Sequence, residues 1–236
     1  MSARFQELDY RQTPLGELSL RRRLEPGTGR EIHEIKLNEE FLMSSLFTVA
    51  EVELAHLALA ELSGESLNVV VGGLGLGYTA QTVLEHPRVG SLAVVDALNE
   101  VIEWHQQGLI PAGKALAADE RCRLVHGDFF ALVRSGQGFE PDGKPLDAII
   151  VDIDHSPRHL LHPTNADLYG PEGTRRLADL LTPGGVFALW SNDPPEDEYA
   201  VTLATVFTDV RAEVVSFPNP LQGIDSTNTV YLGKRG

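Results

Sequence analysis

The sequence predicts a doubly wound α/β protein, a mostly parallel sheet with helices on both faces, and three observations carry that prediction. An apolar run, Val69-Val70-Val71, leads into Gly72-Gly73-Leu74-Gly75-Leu76-Gly77, and a helical stretch opens at Tyr78. A second apolar run, Leu92-Ala93-Val94-Val95, ends in Asp96, nineteen residues after Gly77. From residue 67 onward, strand-like and helix-like segments alternate, as they do where helices cover both sides of a parallel sheet. A strand, a glycine turn, a helix and a strand ending in a carboxylate form the nucleotide-handling half of such a fold.

Each element has its own signal. Residues 15–24 and 31–37 read as two short strands joined by Glu25-Pro26-Gly27-Thr28-Gly29-Arg30, a run of turn formers, so a small N-terminal β-hairpin is expected. Residues 48–62 keep helical spacing through Val49, Val52, Ala55, Leu59 and Leu62, and Ser63-Gly64 ends the helix. Strands are then expected at 67–72, 91–96, 122–126, 147–153, 185–190, 209–217 and 227–233, and helices at 77–86, 99–107, 128–135, 171–181 and 196–207. The short link between the last two strands, 218–226, suits a C-terminal antiparallel hairpin. The expected division is an N-terminal hairpin segment, 1–47, and a Rossmann-like nucleoside-binding domain, 48–236.

Composition narrows the partners. With 19 basic against 34 acidic residues, the net charge is −15, which repels phosphate backbones, so no nucleic-acid partner is expected. Acidity of this degree suits a cationic small molecule but is also common among soluble proteins. One cysteine, Cys122, rules out an internal disulfide and a multi-thiolate zinc site, and its apolar neighbours read as those of a buried structural thiol. The first eleven residues lack the apolar core of a secretory signal, and no apolar run approaches bilayer length. The expectation is a cytoplasmic protein with no membrane contact.

Ligands of such sheets bind beyond the carboxyl ends of the strands. Asp96, Asp128, Asp152 and Asp154 all fall there. For each, simple exposure or helix capping competes with function; four on one rim beside a glycine loop favour function. Asp96 is placed to accept two hydrogen bonds from a ribose. The glycine spacing leaves two readings: Gly73, Gly75 and Gly77 resemble the GxGxG loop of S-adenosylmethionine-dependent transferases, whereas Gly75, Gly77 and Ala80 fit the dinucleotide pattern GxGxxA but begin four residues past the valines. After the fourth strand a long aperiodic segment carries His155, His159 and His162, and segments of that length often serve as binding loops. Their spacing matches no recognised ligand pattern, so no metal is expected, and His155, nearest the strand tip, is the histidine assigned to the site. Trp104, Tyr169 and Trp190 are candidate pocket walls, each competing with plain packing.

These residues carry a resemblance over about 15–189. Gly72-Gly73, then Val95-Asp96 followed by Glu100-Val101-Ile102, then Gly127-Asp128, and finally Ile149-Ile150-Val151-Asp152 follow the order of motifs in the spermidine synthase-like branch of the aminopropyltransferases. The chain resembles that family, whose fold is the Rossmann-like class I methyltransferase fold. The resemblance implies a cytoplasmic transferase of polyamine biosynthesis type, with S-adenosylmethionine or its decarboxylated form as co-substrate. It implies that Gly72, Gly73, Gly75 and Gly77 cradle the donor, that Asp96 holds the ribose and Asp128 the adenine amino group, and that Asp152 is the general base. A homodimer with the N-terminal hairpin as a contact is also implied.

The departures shape the expected chemistry. Where the family has an aspartate that grips the donor's amine, this chain has Gly75. Where it has Asp-Ser-Ser-Asp-Pro, this chain reads Asp152-Ile153-Asp154-His155-Ser156, and the family's tyrosine before the first strand falls near Ala50. The nucleoside half of the site is kept and the polyamine half is largely replaced. Transfer from a sulfonium donor to a small, amine-bearing acceptor is expected, with methyl and aminopropyl transfer both open. The alternatives are an inactive nucleoside-binding homologue and an NAD-binding protein.

Overall fold

The computed structural model describes residues 5–136, 138–139, 143–219 and 221–236. Its framework is a seven-stranded sheet in the order β10-β11-β9-β8-β5-β6-β7. The strands are β5 (Leu67–Gly72), β6 (Val89–Asp96), β7 (Cys122–His126), β8 (Leu146–Val151), β9 (Leu181–Ser191), β10 (Thr208–Asn219) and β11 (Ile224–Lys234). The first five run parallel; β11 pairs antiparallel with both β9 and β10. The predicted mostly parallel sheet and its C-terminal antiparallel hairpin are therefore present. Helices α1 (Val49–Ala60), α2 (Tyr78–Glu85), α3 (Asn99–Gln107), α4 (Gly113–Ala118), α5 (Phe129–Ser135), α6 (Pro171–Leu180) and α7 (Asp197–Ala204) cover it.

Strand alternation divides the core between the two faces. Val69 and Val71 of β5, with Leu92 and Val94 of β6, pack on the side that holds Leu54 and Leu59 of α1. Val70, Ala93, Val95, Ile149 and Val151 point the other way, toward Phe129, Phe130 and Leu177. Both faces are apolar, so the central strands carry no polar alternation.

The N-terminal hairpin is larger than its sequence signal. The two strands expected from it are β2 (Gly16–Leu24) and β3 (Glu31–Leu37), but β1 (Phe5–Thr13) and β4 (Glu40–Ser44) extend them to a four-stranded antiparallel sheet. Strand β1 escaped notice because almost every residue in it is polar or exposed; it is an edge strand held by its ladder to β2 and by one buried anchor, Trp104 Nε1 donating to Asp9 Oδ2 at 2.7 Å. Trp104 is thus fully buried structure and no pocket wall. Leu18, Leu20 and Ile35 join the α1 side of the main core, which seats this sheet over the strand tips.

Helix α1 forms where expected and buries Ala55, Leu59 and, just past its end, Leu62, but its inward face also takes in Ala50, Leu54 and Ala58 and leaves Val49 out, 42% exposed. Two other elements were not foreseen, the short α4 and the 3-10 turn Pro163–Tyr169. Prolines exclude an α-helix in that loop but suit the first turn of a tighter one.

Candidate active site

Backbone hydrogen bonds continue the sheet beyond three strand ends and fix the rim. Asp152 N donates to Gly72 O at 2.8 Å, Gly73 N to Val95 O at 2.9 Å, and Gly127 N to Asp96 O at 2.9 Å. The tips of β5, β6, β7 and β8 are thereby locked side by side. Gly73 (φ +93°) and Gly75 (φ +45°) lie in the left-handed region, and a Cβ on Gly73 would collide with the Asp152 carbonyl. Only glycine passes there.

Above this rim lies a cavity of about 870 Å³ whose wall includes Gly73, Gly75, Asp96, Asp128, Asp152 and His155. Six of the eight predicted site residues therefore face one space. Gly72 and Gly77 do not. Gly72 backs onto the Phe129 ring, and Gly77 (φ +88°) starts α2, wedged against Leu116 and His105. Their glycine requirement comes from packing and turn geometry behind the loop. His105 shapes the loop too, since its Nε2 donates to Gly75 O at 2.9 Å while burial holds the imidazole below its usual pKa.

Asp96 is more deeply engaged than a ribose-binding role alone implies. Its two oxygens accept from Leu74 N at 2.9 Å and Leu98 N at 2.8 Å, so it staples the glycine loop to the start of α3. Burial raises its pKa, and these amides partly offset the rise. Each carboxylate oxygen has a second lone pair, which leaves room for a hydroxyl donor from the cavity. Asp128 caps α5 by accepting from Ala131 N at 3.0 Å and sits 3.5 Å from Arg134, while still lining the cavity.

Asp152 is the deep acid. It accepts from Thr79 Oγ1 at 2.8 Å, and burial pushes its pKa up to about 6, the hydrogen bond opposing the rise. Its unforeseen companion is Glu51, in the first turn of α1. Burial, then repulsion from Asp152, raises Glu51 to about 8. A helix N-terminus favours an anion by about 0.3–1 kcal/mol, too little to reverse this. Both carboxyls are thus raised, and the two titrate as a coupled pair that holds protons more tightly than free carboxylates do. The sequence signal for Glu51 was slight: an acid in an apolar helix, one position from where the resembled family places its tyrosine.

Glu51 and His155 also line a second cavity of about 460 Å³, bounded by β4, Phe47, Trp190 and the β10–β11 tip. The two spaces meet at Leu42, Met43, Glu51, His155 and Trp190. His155 Nε2 stands 3.0 Å from Glu40 Oε1 across the rim. Trp190 is the one wall residue of the three aromatic candidates, and its indole nitrogen is buried with no hydrogen-bond partner among the described residues.

Of the remaining candidates, Asp154 and His159 are absent from the cavity wall, whereas His162 stands on it. Asp154 is buried beneath the loop, accepting from Tyr169 Oη at 2.7 Å, Leu161 N at 2.7 Å and Asn165 Nδ2 at 3.0 Å; it ties the segment down and takes Tyr169 with it. His159 pairs with Asp193 at 2.9 Å and His162 with Thr164 Oγ1 at 2.7 Å, so the three histidines serve three separate contacts. Cys122, half-buried in β7, has its thiol pushed up to about 11 by burial, far from a nucleophile's range.

The chain is similar to known proteins. The profile described as the spermine/spermidine synthase domain matches residues 47–221. Putrescine N-methyltransferase 3 of Nicotiana tabacum is 29% identical over 134 residues, which are 56% of this chain and 32% of that protein. Putrescine N-methyltransferase 2 of Nicotiana attenuata is 29% identical over 133 residues, 56% of this chain and 33% of that protein. The matched stretch thus spans about a third of the length of these relatives. Among solved structures, spermidine synthase from Thermotoga maritima superposes with a TM-score of 0.73 at 19% identity, covering 98% of this chain and 73% of that one. A spermidine synthase in complex with the transition-state analogue AdoDATO gives 0.76 at 19% identity, with 98% and 74% coverage. At that identity the two structures speak for the fold. Among the described residues no helix is long and apolar enough to cross a membrane.

Proposed function

The chain belongs to the spermine/spermidine synthase domain family, and from that premise we propose that it transfers an alkyl group from an S-adenosylmethionine-type donor to a small amine. The observation that carries this is a buried, ionisable Asp152 on the wall of the glycine-lined cavity, in electrostatic contact with Glu51, which also lines the second, aromatic cavity. The site suits the donor: Gly73 and Gly75 leave the loop bare, Asp96 offers lone pairs for a diol, and Asp128 stands farther along the same wall. Bound there, a sulfonium supplies an activated carbon and a neutral leaving group.

The protein's work is then alignment and proton removal. An amine arrives largely as its ammonium, which cannot attack. Asp152 accepts that proton, and the free lone pair attacks the carbon next to sulfur. Glu51, raised by burial and by Asp152, resists adding a second negative charge beside Asp152 until a cation is present to balance it. Thr79 holds the Asp152 carboxylate in place by a hydrogen bond. His155 guards the junction of the two cavities from the outer side, paired with Glu40, and competes for the base role.

Which carbon is attacked divides two readings, each with its own support. Gly75 lacks the carboxylate that would grip a decarboxylated donor's amine, which favours methyl transfer, and two of the relatives are named putrescine N-methyltransferases. Family membership itself favours aminopropyl transfer. A calorimetric panel of S-adenosylmethionine, its decarboxylated form, methylthioadenosine, S-adenosylhomocysteine and NAD tests the donor class. Binding of the adenosine sulfur compounds with NAD ignored is the expected outcome; saturable NAD binding that methylthioadenosine does not displace would sink the transferase reading. The same panel finding no ligand at all would leave an inactive homologue as the better account.

A further inference from the structure

The two cavities that meet at Glu51 differ in charge. The larger has five other carboxylates besides Glu51 and Asp152 on its wall, Glu39, Glu40, Asp96, Glu100 and Asp128. Among the described residues lining the smaller one, Glu51 is the only acid and His155 the only other ionisable group. Beyond these two, its wall is made of aromatic rings, aliphatic side chains, amides and hydroxyls. Phe47 and Phe217 lie with ring centroids 5.8 Å apart, tilted by 41°, and Trp190 closes the end nearest Glu51. The amides are Asn192, Asn219 and Asn228; Asn228 Nδ2 donates to Asn192 Oδ1 at 3.1 Å, and Asn219 to Ser226 Oγ at 2.8 Å.

A linear diamine places one ammonium at the reacting end and a second one at its far end. The first meets Glu51 and Asp152 at the junction. The second, lying in the smaller cavity, meets neutral amides and phenyl rings, and loses much of its hydration without a countercharge. Aromatic faces return about 0.5–1 kcal/mol per cation at exposed sites and about 2 kcal/mol when desolvated, less than the several kcal/mol of leaving a buried charge unpaired. A flat apolar group fares oppositely: it gains burial against Phe47, Phe217 and Trp190 and brings no charge of its own to be desolvated. Its volume of about 460 Å³ and its aromatic lining are those of a small-molecule pocket.

We propose that the smaller cavity receives the body of the acceptor, and that the acceptor is an amine with one cationic nitrogen on a flat apolar group, not a linear diamine. This rests on the transferase reading for the identity of the reacting end, with the nitrogen at Glu51 and Asp152 and the ring between Phe47, Phe217 and Trp190.

Equilibrium calorimetry of 2-phenylethylamine and 1,4-diaminobutane, with the protein saturated with methylthioadenosine, tests this directly. The aryl amine is expected to bind at least about tenfold tighter, close to 1.4 kcal/mol. Thr227→Asp, at an exposed position on the cavity wall, restores a far-end acid without disturbing the core and should narrow or reverse that gap. Phe217→Ser should weaken the aryl amine alone. Equal or tighter binding of the diamine by the parent protein overturns the proposal, as does binding of neither amine, or a gap that Thr227→Asp leaves unchanged. Failure of the donor reading is separable: methylthioadenosine then does not bind, and the amine preference is measured in its absence.

Discussion

Thr79 Oγ1 donates to Asp152 Oδ2 at 2.8 Å and lies 3.5 Å from the Glu51 carbonyl oxygen. One hydroxyl in the first turn of α2 therefore joins the glycine loop, the tip of β8 and the start of α1. The donor cradle and the proposed base cannot shift independently of each other.

That contact sets the first prediction. Removing the Asp152 carboxylate charge in Asp152→Asn should cost about a hundred- to ten-thousandfold in single-turnover rate, with donor affinity nearly unchanged. Thr79→Val should act on the same group more gently. The hydroxyl lowers the Asp152 pKa, so its loss should move the acidic limb of the pH–rate profile to higher pH. His155→Ala is the control. If that change alone slows chemistry, the base is His155.

Glu51 sets a prediction about stability. Its pKa rises on folding from the ordinary 4.5 to about 8, so the native state holds the proton more tightly than the unfolded chain. Its contribution is full below about pH 4.5 and is lost as the pH climbs through 8. Glu51→Gln should therefore flatten the fall in stability between pH 5 and pH 8, and by pH 8.5 should exceed the parent protein by at least about 1 kcal/mol. Urea titrations at both pH values read this out. Parallel pH dependence of parent and variant would remove Glu51 from the coupled pair.

Asp96 is expected to fail in two ways at once. A charged hydrogen bond is worth about 1.5–3 kcal/mol, so Asp96→Ala should weaken nucleoside binding tenfold to a hundredfold or more. The same change strips the Leu74 and Leu98 amides of their acceptor and should cost about 1–3 kcal/mol of stability for a buried donor left unpaired. Asp96→Asn keeps one acceptor oxygen and should fall between. Calorimetry with methylthioadenosine, alongside thermal unfolding of all three proteins, separates the effects. Full affinity in folded Asp96→Ala would take the carboxylate out of the site.

Gly75 decides the transferred group. Gly75→Asp returns a carboxylate to the donor wall at a position whose φ is +45°, a conformation aspartate tolerates better than most side chains. The new Cβ would stand 3.0 Å from Met43 Sδ, a flexible neighbour, so the variant should fold with modest loss. Its preference should move toward decarboxylated S-adenosylmethionine. A parent protein that already prefers the decarboxylated donor strongly, and makes an aminopropyl product, would settle the reaction as aminopropyl transfer.

The sequence by itself determined the sheet and its rim. Apolar runs of buried strands, the glycines after Val71 and the acids after Val95 and Val151 are local signals, because burial on both faces and a tight turn constrain each residue through its near neighbours. Strand β1 left no such mark, since an edge strand with a polar surface owes its place to a partner elsewhere in the chain. Only the tertiary structure put Glu51 beside Asp152, 101 positions apart in the chain, and turned Asp154 inward to hold a loop. A carboxylate's role depends on what lies across from it, and that is decided by how helices and strands pack, through burial and Coulomb repulsion between groups with no relation in sequence. The same packing opened the second cavity, whose walls come from β4, α1, β9 and the last hairpin, four elements that only the fold brings together.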